Sequence, residues 1–220
     1  MPKYPALPVA NRLLDALPGK TCKEVLRSCE RVDLESGEIL CERGEPYRHV
    51  YFPLSGFLSL VSLTTGHPPL EMRLIGNEGM FGSTLVLGVK RVPLRVVVQG
   101  PGAALRMGAA QFCQALQDHA TLLRIVQRYL YVILEHLAQS AACNRFHEVE
   151  ARLARRLLLS HDRAHANHFY LTHQCLADML GVLRSAVTIA AGTLQQAAEA
   201  RQFRPSTPKF PRSSVHNILQ

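Results

Sequence analysis

The stretch LTHQCLADMLGVLRSAVTIAAGTLQ, residues 171–195, reads as a helix, a glycine turn and a second helix. Thr172 stands just ahead of the periodic run, and its hydroxyl suits an N-cap that accepts a free N–H of the first turn. Leu176, Met179 and Leu180 make the apolar face of the first helix. Ala177 is small enough to let a second helix approach. Gly181 falls at the turn, where a left-handed backbone is easiest for glycine. Val187 lies ten residues after Ala177. Small residue, glycine and β-branched residue at these offsets is the pattern of a helix-turn-helix. The second helix, from about Arg184, would enter a DNA major groove by its N-terminal residues. Arg184 can hydrogen-bond guanine O6 and N7 together. Thr172, His173, Ser185, Thr188 and Ile189 complete the predicted DNA-facing set. A surface salt bridge is the alternative role for Arg184, and Ser185 and Thr188 serve equally as caps or exposed filler.

Working outward, the chain of 220 residues is long enough for one large or two modest domains. Hydrophobic residues make up 47% and the mean hydropathy is near zero, an ordinary globular composition. The formal net charge of +8 favours an anionic partner such as nucleic acid or an acidic membrane surface, with a solvated basic surface as the alternative. None of the six cysteines forms a C-x-x-C pair, which argues against a zinc knuckle and for a reduced, cytoplasmic protein. The first twenty residues lack the apolar core of a signal peptide, and no run reaches the roughly 18 apolar residues of a membrane span. No membrane partner is expected.

From Val32 to about Met107 the text is strand-like: RVDL, EILCE, HVYFPLSGFLSLVSL, LEMRLIG, RVVVQG and AALRM, punctuated by glycines. Short strands with frequent turns suggest a sandwich, barrel or jelly roll. Ahead of them, NRLLDALPGKTCKEVLRSCE reads as short helices broken at Pro18-Gly19. From about Ala120 the period changes. Leu123, Val126, Leu130, Ile133 and Leu137 alternate spacings of three and four, the a/d spacing of a coiled-coil seam. Leu122, Ile125, Tyr129, Val132 and His136 form a second stripe. Two stripes let one helix pack its own domain on one side and a partner helix on the other; a helix buried within one domain is the alternative. EVEARLARRLLLSHDR, from Glu148, is amphipathic, and the histidines of HDRAHANHF read as a polar loop.

These residues together resemble regulators of the cyclic-AMP receptor protein and fumarate-nitrate regulator (Crp/Fnr) family. The resemblance is carried by RGEPYRHVYFPLSGFLSLVSL, LIGNEGMFGSTLVLG, the helix through AQSAACNRFHEVEARLARRLL, and the opening stretch. It covers about residues 10 to 195. It implies an α+β protein: a cyclic-nucleotide-binding-type β-roll over 1–118, a dimerisation helix over 119–143 and a helix-turn-helix over 144–195. It also implies a homodimer on double-stranded DNA, with RNA polymerase as a further partner. The ligand-pocket positions by this resemblance are Gly82, Ser83, Thr84, Arg95 and Val96.

Two departures shape the expectation. The family's nucleotide-binding members have glutamate where Ser83 stands, and a small hydroxyl residue and alanine where Val96 and Val97 stand. A ribose hydroxyl would lose its carboxylate partner, at a cost of about 1–3 kcal/mol. Cyclic AMP is therefore not the expected ligand; Arg95 could still offer its charge to a phosphate but reads rather as a loop or strand-edge arginine. An iron–sulfur cluster is not expected either, because the spacing of Cys22, Cys29, Cys41 and Cys113 does not match the family's tight cysteine group. Residues 196–220, with Pro205, Pro208 and Pro211, lack the alternating strand pair of the family's wing and read as a basic tail bearing Arg201, Arg204, Lys209 and Arg212. A shifted reading frame near Gln196 would leave such a tail. No metal ligand set, Gly-rich phosphate loop, G-x-S-x-G or H-E-x-x-H is present, so no catalytic residue and no enzyme is expected. The expected function is a DNA-binding transcription regulator with an unknown effector or none. The alternative is a dimeric interaction module that no longer binds DNA.

Overall fold

The structure, a computed structural model, describes residues 11–66, 69–164 and 171–202. Two short helices, α1 (Arg12–Asp15) and α2 (Gly19–Arg27), lead into an antiparallel sheet. Its strands are β1 (Glu30–Leu34), β2 (Ile39–Cys41), β3 (His49–Ser62), β4 (Leu70–Ile75) and β5 (Arg95–Gly108), in the order β1-β5-β3-β4 with β2 also on β5. Five helices follow: α3 (Ala109–Asp118), α4 (Ala120–Phe146), α5 (Val149–Ala164), α6 (His173–Leu180) and α7 (Arg184–Gln202).

The two long strands divide their side chains between two cores, because successive residues of a strand point to opposite faces. In β3, Val50 and Phe52 face α1–α4, where they meet Leu14, Val25, Phe112, Leu122, Val126 and Tyr129. Tyr51 and Leu58 face the roll interior with Val96, Val98 and Phe81. In β5, Val96, Val98 and Ala104 point inward while Leu105 and Met107 point to the helices.

RVVVQG and AALRM, which read as two strands, are one. Gly100-Pro101-Gly102 bends β5 without ending it, since β5 pairs β2 before the bend, β1 after it and β3 along its length. Opposite the bend, Gly56 has φ +69°, and a Cβ there would lie 2.3 Å from the Gly100 carbonyl oxygen. Only glycine allows that approach.

The last residues of the expected sensory domain, 109–118, form α3. The sequence reading changes at two further points. α5 runs on to Ala164, so His161 is helical; His165 and His168 lie outside the described residues. α7 continues past Gln195 to Gln202, through a run of alanines with Glu199 and Arg201, all good helix formers. The expected tail therefore cannot begin at 196. Arg204, Lys209 and Arg212 lie outside the described residues. Among the described residues no strand follows α6, and no single helix is long and apolar enough to cross a membrane.

Candidate functional site

The α6–α7 pair is built as its sequence predicts. Thr172 caps α6, its hydroxyl accepting the Cys175 N–H at 3.1 Å. Gly181 ends α6 in the left-handed region at φ +63°. α7 then turns 108° away from α6. Leu153 of α5, Leu176, Ala177 and Leu180 of α6, and Val187 and Ala190 of α7 make a small core of their own. That core leaves Arg184, Ser185, Thr188 and Ile189 exposed on α7, with Ile189 68% exposed. The Thr188 hydroxyl donates to the Arg184 carbonyl at 3.1 Å and lies 3.0 Å from His173 Nδ1. With its proton so committed, Thr188 accepts from the imidazole N–H, which ties the start of α6 to the first turn of α7. Thr172 and His173 thus hold the frame, and Arg184, Ser185 and Ile189 stand free on its outer face.

The predicted ligand positions in the roll are each engaged by other groups of the chain. Gly82 is left-handed at φ +96°, and a Cβ would lie 2.6 Å from Val50 Cγ1. Ser83 is buried in the 3₁₀ turn Ser83–Leu87. The Thr84 hydroxyl lies 2.6 Å from that of Tyr47. Arg95 gives its fork to Glu42, with Nε and Nη2 each 2.9 Å from a carboxylate oxygen. Val96 is fully buried and belongs to the packed interior, so it lines no open pocket. Tyr47 and Tyr51 flank Phe81 with ring centroids 5.4 and 6.2 Å from it. Sequence reasoning missed Glu42, which satisfies the arginine that the resemblance assigns to a phosphate.

Part of the predicted seam on α4 is covered by the chain itself. Val126 is 1% exposed and covered by its own chain, and Leu123 and Ile133 pack against the same core. Leu130 and Leu137 are half-buried. Besides Phe146 at the end of the helix, its exposed large apolar groups are Tyr131 (59%) and Leu134 (65%), followed on the same three-and-four spacing by the exposed Ala138 and Ala141. Leu123, Val126 and Ile133 of that stripe are taken up by the chain's own core, while Leu137 lines the junction with β4 and α5.

The junction between the sheet and the last helices holds most of the molecule's buried charge. Arg156 of α5 gives Nη2 to Glu71 of β4 at 2.9 Å, and also to Gln99 Oε1 at 2.9 Å. Glu71 accepts from Ser59 at 2.8 Å. Burial pushes the Glu71 carboxyl up and the Arg156 guanidinium down, so desolvation exceeds what the pair returns. Arg163 gives Nε to Glu78 at 2.8 Å. Arg73 of β4 lies over the Tyr129 ring, 5.2 Å from its centroid, and donates to the Tyr129 hydroxyl at 3.3 Å. Arg152 donates to the Leu180 carbonyl. Burial, then Arg73 and Arg163, hold the His136 imidazole below its ordinary value. The sequence showed Arg152, Arg155 and Arg156 on faces of an amphipathic helix, but no local signal joins them to β4.

The cysteines are dispersed. Cys22 and Cys29 belong to the helical-side core and Cys41 to the roll interior. Burial pushes Cys29 up to about 12 and Cys41 up to about 11, the latter with help from the neighbouring Glu45. Such thiols are poor thiolate donors at neutral pH. Among the described residues no group of three His, Cys, Asp or Glu side chains is placed to hold a metal.

Comparison with known proteins agrees with this architecture. Residues 31–119, from β1 through α3, match the cyclic nucleotide-binding domain. No curated protein sequence matches the chain. The chain is similar in structure to the c-di-GMP responsive global regulator CLP of Xanthomonas campestris, with 16% identity, 82% of this chain and 93% of that one covered, and a TM-score of 0.67. It is similar to a transcriptional regulator of the crp/fnr family from Eubacterium rectale, with 14% identity, coverages of 86% and 88%, and a TM-score of 0.67. FixK2 of Bradyrhizobium japonicum also shares the fold, with 14% identity, coverages of 77% and 86%, and a TM-score of 0.64. At these identities the likeness is one of fold.

Proposed function

With residues 31–119 a cyclic nucleotide-binding domain in a chain whose solved neighbours are transcriptional regulators, we propose that this protein is a homodimeric, DNA-binding transcription regulator of the cytoplasm. The reading is regulatory, not enzymatic. The observation that carries it is the free outer face of α7. Arg184 and Ser185 begin that helix and Ile189 follows one turn on, all exposed, while Ala177, Val187 and Leu153 hold the helix rigidly from behind. Arginine reads guanine in the major groove, and an apolar side chain meets the thymine methyl. The net charge of +8 suits the phosphate backbone.

Dimerisation in this reading runs along the Tyr131, Leu134, Ala138 and Ala141 stripe of α4, flanked by Leu130 and Leu137. It sets two copies of α7 at half-sites of a two-fold operator. Cyclic AMP is not its effector in this reading, because Ser83 stands where a carboxylate would take the ribose hydroxyl and Glu42 takes the fork of Arg95. Selection of binding sites from genomic DNA with the purified protein tests the reading. A two-fold site whose affinity falls steeply with salt is expected. No retention of any DNA at low salt would instead support a dimeric interaction module.

A further inference from the structure

The junction cavity carries more positive charge than the protein itself balances. It is about 130 Å³ and is walled by β4, the second half of α4, α5 and the end of α6. Five arginines line it: Arg73, Arg152, Arg155, Arg156 and Arg163. Glu71 balances Arg156 and Glu78 balances Arg163. Arg73, Arg152 and Arg155 have no salt bridge among the described residues. Arg73 is only 8% exposed, yet its Nε and Nη1 have no hydrogen-bond partner, and the Nε atoms of Arg152 and Arg156 are likewise buried and unpaired. Arg155 spends one nitrogen on the Cys143 sulfur at 3.0 Å, a weak acceptor. Buried donors of a charged group left unpaired are costly, and native proteins rarely keep several together without a partner.

We infer that this cavity is a binding site for a small phosphate-bearing anion of two to three negative charges. Three uncompensated guanidinium groups set that charge. The planar fork of arginine matches phosphate oxygens in pairs, which favours phosphate over a point anion such as chloride. The volume suits inorganic phosphate or a diphosphate group. Because Arg73 stands on β4 and Arg152 and Arg155 on α5, the anion would bridge the sheet to the helices that carry α7. The inference does not rest on DNA binding, and its test uses no DNA.

Calorimetry on the full chain with pyrophosphate, inorganic phosphate and a nucleoside 5′-diphosphate, each against sodium chloride of equal ionic strength, measures the site. One saturable site per chain is expected, with pyrophosphate tighter than phosphate; a nucleoside diphosphate tighter still identifies a phosphorylated organic molecule as the source. Arg73→Met and Arg155→Gln should each weaken binding at least about tenfold, the loss of one charge-assisted contact. Arg155 is half-buried and outside the packed cores, so Arg155→Gln decides the matter if Arg73→Met does not fold. Saturation with pyrophosphate should also raise the His136 pKa followed by NMR, because the anion offsets Arg73 and Arg163. No saturable heat up to about 10 mM, equivalent to a binding free energy of only about −2.7 kcal/mol, would overturn the inference. Binding that Arg155→Gln leaves unchanged would overturn it too.

Discussion

Tyr129 shows how one hydroxyl fixes a helix to a sheet. It is 4% exposed, accepts the Met80 N–H at 3.1 Å and the Arg73 Nη2 at 3.3 Å, and leaves no room for a side chain at Gly79. Tyr129→Phe keeps the ring and strands both donors, so a loss of about 1–3 kcal/mol is expected in urea unfolding. His136 acts through pH. Its pKa is depressed in the folded chain, so below about 6.5 the unfolded chain takes up a proton that the folded chain refuses. Stability should therefore fall as pH drops from 7 toward 5, and His136→Gln should flatten that part of the profile. Arg184 belongs to recognition. A bidentate guanine contact is worth about 1–3 kcal/mol of discrimination. Arg184→Ala should bring affinity for the selected site down toward that for random DNA, with little change in the latter, as read by competition binding.

At the scale of elements, α4 and the α6–α7 turn were legible to different degrees. The turn was readable because its rules are local: a cap at Thr172, a left-handed residue at Gly181, small and branched residues at fixed offsets. Gly181→Val should destabilise the last helices by about 1–2 kcal/mol from the left-handed backbone alone. α4 was readable as a helix of heptad period, but which stripe faces outward depends on α1–α3, which pack from elsewhere in the chain. The same limit hid Glu42, Glu71 and Glu78, whose partners lie 53 to 85 residues away. It also split β5 in two, since a Gly-Pro-Gly bend looks like a turn unless its partner Gly56 is known. The outward stripe gives a test of the dimer. Leu134→Glu should yield monomers by light scattering, because it sets charge against charge across a two-fold seam. Val126→Glu should instead unfold the chain. A dimer that survives Leu134→Glu would place the interface off this stripe.

At the scale of the molecule, the sheet and the last three helices behave as one body only if the junction holds. The covalent link is short: α4 ends at Phe146 and α5 begins at Val149, with His147 extended between them. The non-covalent link is polar. Arg156–Glu71 and Arg163–Glu78 cross it, and Leu70 touches the turn at Gly181. Because burial outweighs pairing for Glu71 and Arg156, the pair adds little against an apolar contact; removing one partner costs about 3–5 kcal/mol by leaving the other charge buried. The small core around Leu153, Ala177 and Val187 shares no member with the cores of the roll, so it can persist once the junction opens. Glu71→Gln combined with Glu78→Gln should therefore split a single calorimetric transition into two, the last helices unfolding apart from the roll. A single transition at lower temperature would mean that apolar contact, not the ion pairs, joins the two parts. The wild type separates these outcomes further: a saturating anion in the junction should raise its one transition, and in the double variant should raise the lower of the two toward the upper.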